Sequence, residues 1–420
     1  MTRTDVRFAS VSALEILDSR GNPTVQVTLG TAEGLRYVAG VPSGASTGSR
    51  EAVELRDGDP ARYDGRGVSR AVGHVEGEIA DLLERKTWSC QAELDDALVE
   101  LDGTPDKGRL GANAILGVSM AAARAFAEGL PLWESLIPRG VTPRLPVPHF
   151  NVLNGGVHAA NDLEFQEFML APIGAPSFSE ALRAGATIYH RLRAELRDRG
   201  ESTGLGDEGG FAPDISSPEE ILWLMVAAIR DAGYTPGRDG VAIAMDPASS
   251  EFHKDGVYTV AGEALNADQL IDRYEQIITD FPVWSLEDGL AEDDWAGWKT
   301  LTERLGGRVQ LVGDDLFVTN PALIAQAVRN GIGNSALIKP NQIGTVTETL
   351  RAQAVCRHAG YSQMVSHRSG ETTDTFIADL SVATGTGQIK SGAPARGERV
   401  AKYDRLLEIE RSNVSLPFGL

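Results

Sequence analysis

The chain has 420 residues, more than the roughly 250 to 300 residues that share one hydrophobic core, so two domains are expected. Its formal net charge of −20 argues against nucleic acid or an anionic membrane as a partner, because both require a basic face. Cys90 and Cys356 lack metal or redox spacing, and the opening MTRTDVRFASVSALEI lacks a signal-type apolar core, so we expect reduced thiols and a cytoplasmic location without membrane insertion.

Residues 1–136 predict a cap domain of the α+β class. The chain opens with NPTVQVTLGT and GLRYVAGVP, alternating runs separated by turn residues, as in an antiparallel meander. Helical patterns follow, and GANAILGVSMAAARAFAEG is apolar almost all round, which predicts a buried helix. Between sheet and helices, VPSGASTGS at 41–49 lacks the spacing and lysine of a Walker loop, so its small hydroxyl residues favour a mobile lid.

The rest of the chain, residues 137–420, predicts a barrel domain reached through the proline-rich IPRGVTPRLPVPHF. Helix start signals recur there, as in Ser217 with Pro218 and in Asn320 with Pro321. Strand and helix patterns alternate at about 25 residues per unit. This alternation predicts a β/α barrel rather than an open sheet. The expected fold class is therefore α/β, an α+β cap followed by a TIM-like barrel.

Six polar residues in this second domain each follow a short apolar run. They are Asp246, Glu287, Asp314, Lys339, His367 and Lys390. After a wider first gap they recur at about 25 residues, the length of one barrel unit, so they are expected to meet at one mouth. The three carboxylates, with no sulfur or imidazole among them, suit a hard cation such as Mg²⁺. For any one of them alone, a helix cap is the alternative.

The two lysines at strand ends are predicted to be buried near a cation and near each other. Desolvation and like charge lower the pKa of such a lysine toward neutrality, which leaves an amine that accepts a proton. At least one of Lys339 and Lys390 is therefore expected to be a proton base. The alternative is that both serve as ion-pair partners of the carboxylates.

Three further segments carry polar residues that suit a substrate site. Glu208 lies in the glycine-rich GLGDEGGFAP and either enters the mouth or is a turn acid. Gln166 and Glu167 follow an apolar alternation, so one of them is expected to face the mouth. In SHRSGE at 366–371, Arg368 offers a planar fork for phosphate or carboxylate.

Long strings of this sequence resemble the enolase family over nearly the whole chain. Among them are LDSRGNPTV, VPSGASTG, NVLNGGVH, GDEGGFAP, SLEDGLAEDDW, NQIGT and VSHRSGET, in the family's order. The resemblance implies an α+β cap and an atypical barrel whose first strands do not all run parallel. It also implies Mg²⁺-dependent, reversible dehydration of 2-phospho-D-glycerate to phosphoenolpyruvate, and a homodimer or larger oligomer. In bacteria it further implies an additional surface or secreted pool beside the cytoplasmic one.

The resemblance assigns the metal and proton-transfer roles position by position. Two Mg²⁺ are expected per active site: the first bound by Asp246, Glu287 and Asp314, the second recruited with substrate and held by Ser46 of the lid. Lys339 is expected to remove the α-proton. Glu208 is expected to protonate the departing hydroxyl, with Glu167 beside it.

The same correspondence assigns the substrate contacts. Arg368 and Ser369 are expected to hold the phosphate. The residues expected to line the substrate are Lys390, Lys339, Gln166, Glu167, His158 and His367, the last also counted as catalytic. Two residues depart from the family's pattern, Pro247 after Asp246 and Pro340 after Lys339, and each favours extended geometry in the residue before it.

These departures support an alternative function on the same scaffold, a paralogue acting on a phosphonate or phosphinate analogue in secondary metabolism. An alternative of another class is a non-catalytic surface-binding or scaffold protein. It is disfavoured because a pure scaffold does not require a complete set of acid, base and metal ligands.

Overall fold

The computed structural model describes residues 5–159 and 161–420. The N-terminal part contains a three-stranded antiparallel sheet in the order β1 (Phe8–Leu17), β2 (Pro23–Thr31) and β3 (Arg36–Gly40). The helices that follow are α1 (Ser69–His74), α2 (Ala80–Glu84), α3 (Gln91–Asp102), α4 (Ala112–Phe126) and α5 (Leu132–Ser135). A meander followed by helices confirms the predicted α+β cap.

Helix α4 connects the cap sheet to the rest of the molecule. Nearly all of its residues are buried, as its apolar pattern predicts, because it packs on β2 and β3 on one side and on α3 on another. Gly117 permits the close approach to the sheet, since a Cβ there would lie 2.6 Å from Val27 Cγ2. The buried helix also contacts the short segment that follows Lys339, so the cap packs directly beside the barrel mouth.

The C-terminal part is a closed eight-stranded barrel with a small additional sheet. The strands in chain order are β4 (Val147–Asn154), β5 (Glu167–Ala171), β6 (Ala242–Asp246), β7 (His253–Lys254), β8 (Val257–Val260), β9 (Glu263–Leu265), β10 (Val283–Glu287), β11 (Gln310–Gly313), β12 (Ser335–Ile338), β13 (Ser362–Ser366) and β14 (Gln388–Lys390). Strands β7 to β9 form the small antiparallel sheet, and the other eight close the barrel.

Strand β5 runs antiparallel to both of its neighbours, β4 and β6, whereas the other neighbouring barrel strands are parallel. The uniformly parallel barrel expected from alternation alone is therefore wrong at β5. The atypical barrel implied by the family resemblance is confirmed. Among the described residues, the connection from β4 to β5 contains a short 3₁₀ helix (Gly156–His158) but no crossover α-helix, which is what an antiparallel pair permits.

The barrel helices are α6 (Phe178–Asp198), α7 (Pro218–Asp231), α8 (Ala267–Asp280), α9 (Trp295–Leu305), α10 (Pro321–Asn330), α11 (Pro340–Ile343), α12 (Val346–Ala359), α13 (Phe376–Ala383) and α14 (Gly397–Ser412). The predicted start signals are confirmed: Ser217 Oγ accepts a hydrogen bond from Glu220 N at the start of α7, and Asn320 Oδ1 accepts one from Ala322 N at α10. Within the described ranges, no helix combines the length and apolarity needed to cross a membrane.

Both cysteines are free thiols, as predicted. Cys356 is buried on α12, and burial raises its pKa to about 12. A thiol with so high a pKa carries almost no thiolate near neutral pH and is therefore a poor nucleophile.

Two buried histidines predict acid sensitivity of the fold. Burial lowers the pKa of His149 on β4 and of His367 after β13 from 6.5 to about 3. Below pH 6.5 the unfolded chain binds protons that the folded chain does not, so the free energy of unfolding falls as the pH drops toward 3. Each histidine contributes about 1.4 kcal/mol per pH unit in that window.

Replacing His149 with glutamine should remove its share of that acid sensitivity. Denaturant unfolding between pH 6.5 and 4 measures the free energy, and the slope of the variant should be shallower by about 1.4 kcal/mol per pH unit. An unchanged slope would show that His149 is not held neutral by the fold.

Candidate active site

The strand register gathers four carboxylates at one rim of the barrel. Glu167 on β5 pairs with Asp246 on β6, and Glu287 ends the next strand, where its neighbour Leu286 pairs with Met245. Asp314 follows β11, the strand after that. All four carboxylates are buried. The reversed direction of β5 explains why Glu167 begins its strand, whereas Asp246 and Glu287 end theirs.

The ammonium group of Lys390 joins three of these carboxylates. Its Nζ lies 2.8 Å from Glu287 Oε1, 3.0 Å from Asp246 Oδ2 and 3.1 Å from Glu167 Oε2. The side chain is 2% exposed, so these ion pairs lie in a medium of low dielectric constant. The lysine at the end of β14 is thus an electrostatic centre of the predicted mouth.

Lys339 pairs with the fourth carboxylate. Its Nζ donates to Asp314 Oδ2, and Gln342 Nε2 donates to Asp314 Oδ1 at 2.8 Å. Thr319 orients both partners, because its hydroxyl donates to Gln342 Oε1 at 2.7 Å and accepts from Lys339 N at 2.9 Å. Lys339 is held in place by its backbone as well as by its charge.

The sequence predicts a lowered pKa for the two lysines, and this prediction is wrong for the arrangement in this structure. Burial alone lowers the pKa of Lys339, but the Asp314 carboxylate more than offsets burial and leaves that pKa raised. Burial likewise lowers the pKa of Lys390, and Asp246, Glu167 and Glu287 together raise it well above its usual value. The carboxylates outnumber the lysines, so attraction outweighs desolvation and the repulsion between like charges.

Glu287 supplies a carboxylate oxygen in this cluster that fits a cation. Asp246 Oδ1 accepts from Ala248 N, both oxygens of Asp314 have partners, and Glu287 Oε1 contacts Lys390. Glu287 Oε2, by contrast, is buried without a hydrogen-bond partner among the described residues; Glu167 Oε2 also lacks a hydrogen bond there but lies 3.1 Å from Lys390 Nζ. An orphaned carboxylate oxygen among further carboxylates is a donor set that suits a divalent cation.

Two compact groups of potential ligand atoms border the cluster, His158 with Glu167 and Glu208, and Asp288 with Asp314 and Asp315. Asp288 positions its neighbours, since its carboxylate accepts hydrogen bonds from Asp314 N at 2.9 Å and Asp315 N at 2.8 Å. Burial, and then repulsion from Asp315 and Asp314, raise its pKa well above the usual value.

Glu208 occupies the side of the mouth next to Glu167. Its Oε2 accepts from Asn151 Nδ2 at 3.0 Å and lies 3.0 Å from His367 Nε2. The Nδ1 of His158 lies 3.8 Å from Glu208 Oε1 and 3.9 Å from Glu167 Oε1. The glycine-rich loop therefore places Glu208 inside the mouth, not at an exposed turn.

The pKa values of the neighbouring carboxyl groups of Glu167 and Glu208 are shifted in opposite directions. Burial, followed by repulsion from Glu208, raises the pKa of Glu167 well above its usual value. Burial also opposes ionisation of Glu208, but His367 and His158 outweigh burial and hold the pKa of Glu208 well below its usual value. The surroundings therefore favour the protonated form of Glu167 and the ionised form of Glu208.

Arg368, on the side of the mouth opposite Glu208, contacts the predicted lid and the residues that follow it. It forms a bidentate ion pair with Glu51: Nη1 lies 2.9 Å from Oε2 and Nη2 lies 3.0 Å from Oε1. Its remaining Nη hydrogens go to Asn341 Oδ1 at 3.1 Å and to the carbonyl oxygen of Ser46 at 3.2 Å. A phosphate must therefore use Nε–H or replace one of these acceptors.

The segment at 41–49, predicted to be a lid, contacts the segment at 366–371 at several points. Ser43 and Gly370 exchange two backbone hydrogen bonds, and Ala45 N donates to Ser369 Oγ at 3.0 Å. Gly44 allows this approach, because a Cβ there would lie 2.1 Å from Arg368 Nη2. Ser46 makes its contact through the carbonyl group, so a role for its hydroxyl stays a prediction.

The two prolines that depart from the family's pattern lie in suitable geometry. Lys339 is extended, with φ −123° and ψ 106°, and Pro340 occupies the first position of α11, where no backbone donor is needed. Pro247 precedes Ala248, which has φ +52° and donates its backbone N–H to Asp246 Oδ1 at 2.9 Å. Neither proline displaces the side chain before it from the mouth.

Sequence reasoning missed several residues that hold the site together. Asn151, Glu51, Asn341, Gln342 and Arg399 all contact a predicted site residue. Asn341 and Gln342 lie two and three residues after Lys339, so proximity in sequence was a usable signal. Gln166 is buried as expected, although its Oε1 has no hydrogen-bond partner among the described residues.

Comparisons with known proteins agree with this geometry. Residues 8–136 match the family model described as "Enolase, N-terminal domain", and residues 142–415 match "Enolase, C-terminal TIM barrel domain". The chain is 56% identical over 409 residues to a protein named "Enolase" from Rubrobacter xylanophilus (strain DSM 9941 / JCM 11954 / NBRC 16129 / PRD-1). That match covers 96% of this chain and 95% of the relative. The chain therefore belongs to the enolase family.

Proposed function

We propose that this enolase family member dehydrates 2-phospho-D-glycerate reversibly to phosphoenolpyruvate, with Lys339 as the base and Glu208 as the acid. One observation carries the assignment of roles. His158 Nδ1 lies 3.8 Å from Glu208 Oε1 and 3.9 Å from Glu167 Oε1, and Glu167 Oε2 lies 3.1 Å from Lys390 Nζ. Lys390 in turn acts electrostatically on Asp314, which pairs with Lys339. An acid and a base at opposite ends of a charged cluster suit the removal of a proton and a hydroxyl from adjacent carbons.

Lys339 removes the α-proton in this proposal. To accept a proton its amine must be neutral, so its ion pair with Asp314 has to weaken before the reaction. The Thr319 contact holds the backbone of Lys339 in place independently of that ion pair. The base can therefore lose its charge and keep its position.

Glu208 protonates the departing hydroxyl after it receives a proton from the Glu167 carboxyl group, whose raised pKa favours the protonated form. The forward step moves one proton from the Glu208 carboxyl group to the hydroxyl, the carbon–oxygen bond breaks, and water leaves. Glu208 ends as a carboxylate, a form that His367 and His158 stabilise. Arg368 and Ser369 face the phosphate, and Lys390, Gln166 and His158 line the substrate.

Family membership implies a divalent metal, and we assign its binding to Asp246, Glu287 and Asp314. The identity of the metal as Mg²⁺, a second Mg²⁺ recruited with substrate, and its contact with Ser46 belong to the proposal. A cation bound there supplies positive charge that stabilises the negative charge developing on the substrate carboxylate. The orphaned Glu287 Oε2 supports this assignment.

Replacing Glu287 with glutamine should weaken the binding of the metal. The variant loses the carboxylate charge next to the orphaned Glu287 Oε2, so the Mg²⁺ concentration for half-maximal activity should rise by more than about 100-fold. Calorimetric titration with Mg²⁺ measures the same change without turnover. The exposed Asp293→Asn on the following loop is the control, and equal Mg²⁺ affinity in both variants would refute the assignment.

The principal alternative is a paralogue that acts on a phosphonate or phosphinate analogue. Pro247 and Pro340 motivated it, but both occupy geometry that leaves Asp246 and Lys339 in the mouth. Turnover of 2-phosphoglycerate compared with a carbon–phosphorus analogue, under the same conditions, tests the choice. Higher kcat/KM for 2-phosphoglycerate supports the proposal, and a preference for the analogue would overturn it.

Other expectations stay within the proposal. We divide the chain into a cap at 1–136 and a barrel at 137–420. The assembly into a homodimer or larger oligomer, the cytoplasmic location and an additional surface or secreted pool rest on the family resemblance. The complete set of acid, base and metal ligands in one mouth favours an enzyme over a binding or scaffold protein.

A further inference from the structure

We propose that Arg399 is a positioning residue that keeps the proton of neutral His367 on Nε2 and thereby orients Glu208 for catalysis. Arg399 lies on α14, outside the residues that face the substrate. Its side chain is 0% exposed, which is uncommon for arginine without a specific set of partners. This inference rests on the proposed function, because it depends on Glu208 acting as the acid.

The guanidinium of Arg399 meets His367 and the backbone around it. Nη1 lies 2.5 Å from His367 Nδ1 and donates to the carbonyl oxygen of Arg368 at 2.6 Å. Nη2 donates to the carbonyl oxygens of Ser369 at 2.6 Å and Asp207 at 3.2 Å. One side chain therefore connects the phosphate segment to the loop that carries Glu208.

The chemistry of the guanidinium decides the tautomer of the imidazole. Arginine has only donors, so the His367 Nδ1 beside it must act as the acceptor. A neutral imidazole with an acceptor at Nδ1 carries its hydrogen on Nε2. That nitrogen lies 3.0 Å from Glu208 Oε2, so the positive end of the Nε2–H dipole is close to the carboxylate, although the N–H is not aligned with Oε2 as a hydrogen bond.

The two carboxylate oxygens of Glu208 therefore have different roles. Oε2 accepts a hydrogen bond from Asn151 and lies beside His367 Nε2, so Oε1 is the oxygen left to exchange a proton with the substrate hydroxyl. If Nδ1 held the hydrogen instead, the lone pair of Nε2 would face the carboxylate and repel it. The charged groups facing His367 are Glu208 from its loop, Arg399 from α14 and Lys390 from β14.

The structure offers a matched control in Arg396. Its Nη1 donates to the carbonyl oxygen of Gly206 at 3.2 Å and its Nη2 to that of Ser19 at 2.9 Å. Arg399 contacts the same two segments, at Asp207 and at Ser19 Oγ. Arg396→Met thus removes an equivalent loop contact without touching the imidazole.

The first test is the tautomer of His367 in the free protein, read from the ¹⁵N shifts and couplings of labelled histidine. We expect the Nε2–H form in the unmodified protein and in Arg396→Met, and its loss in Arg399→Met. A protonated or Nδ1–H imidazole in the unmodified protein, or an unchanged tautomer in Arg399→Met, would overturn the proposal. This measurement needs no substrate, so it is independent of the proposed function.

The second test separates dehydration from exchange of the α-proton of 2-phosphoglycerate with solvent. Arg399→Met should lower dehydration by about 100-fold and exchange by less than about tenfold, because the base is untouched. Arg399→Lys retains a donor and should recover part of the loss. Equal loss of both rates, or an equal loss in Arg396→Met, would indicate a merely structural role. If Arg399→Met does not fold, the tautomer of the unmodified protein and the rates of Arg399→Lys still decide.

Discussion

Replacing Lys339 with alanine is expected to abolish both dehydration of 2-phosphoglycerate and exchange of its α-proton with solvent. Both processes begin with removal of that proton, and Lys339 is the proposed base. A loss of about 10⁴-fold in each rate corresponds to the largest contributions of a single general base. Proton NMR in deuterated solvent measures exchange and product formation in one sample.

Lys299→Ala is a suitable control, because this lysine is exposed on α9 and lies away from the mouth. The Lys339 variant also leaves Asp314 without its ion-pair partner, so thermal unfolding should be recorded to confirm that the protein is folded. A folded Lys339→Ala protein that still exchanges the α-proton at the unmodified rate would show that another residue is the base.

Replacing Glu208 with glutamine is expected to separate the two processes. Glutamine is similar in shape and can still accept a hydrogen bond from Asn151, but it supplies no acidic proton to the departing hydroxyl. Dehydration should fall by about 10³-fold, whereas exchange should stay within about tenfold because Lys339 and the metal ligands are unchanged. The same NMR experiment gives both rates.

Asp214→Asn is the matched control for this variant, since Asp214 is an exposed acid on the segment that follows the glycine-rich loop. It should change neither rate. Parallel loss of exchange and dehydration in Glu208→Gln would place Glu208 in proton removal instead of hydroxyl departure. Full dehydration in that variant would assign the acid elsewhere, with Glu167 the nearest candidate.

The residues at parallel strand ends were predictable from the sequence. Asp246, Glu287 and Lys390 each end a strand, and the barrel rule alone places them at one mouth. Glu167 does not follow that rule, because β5 is reversed and presents its first residue at the rim. The apolar alternation predicts that either Gln166 or Glu167 faces the mouth, and only the family resemblance assigned Glu167 its role beside Glu208. Strand direction depends on long-range pairing, which a local pattern does not record.

The electrostatics of the site were less predictable. The sequence indicated lysines with lowered pKa, but the outcome depends on how many carboxylates each ammonium group meets. Lys390 meets three, and that number follows from the pairing of separate strands. Arg399 and Glu51 were missed for a related reason: each is far from its partner in the chain, and neither ends an apolar run. Their roles can be identified only from the hydrogen-bond donors and acceptors that meet in the folded structure.

Formation of phosphoenolpyruvate from 2-phosphoglycerate, with Mg²⁺ and again after removal of the metal by a chelator, tests the central claim most directly. The proposed site predicts rapid turnover with Mg²⁺, negligible turnover after chelation, and recovery when Mg²⁺ is restored. Negligible turnover of 2-phosphoglycerate with Mg²⁺ present, or turnover that chelation does not affect, would contradict it.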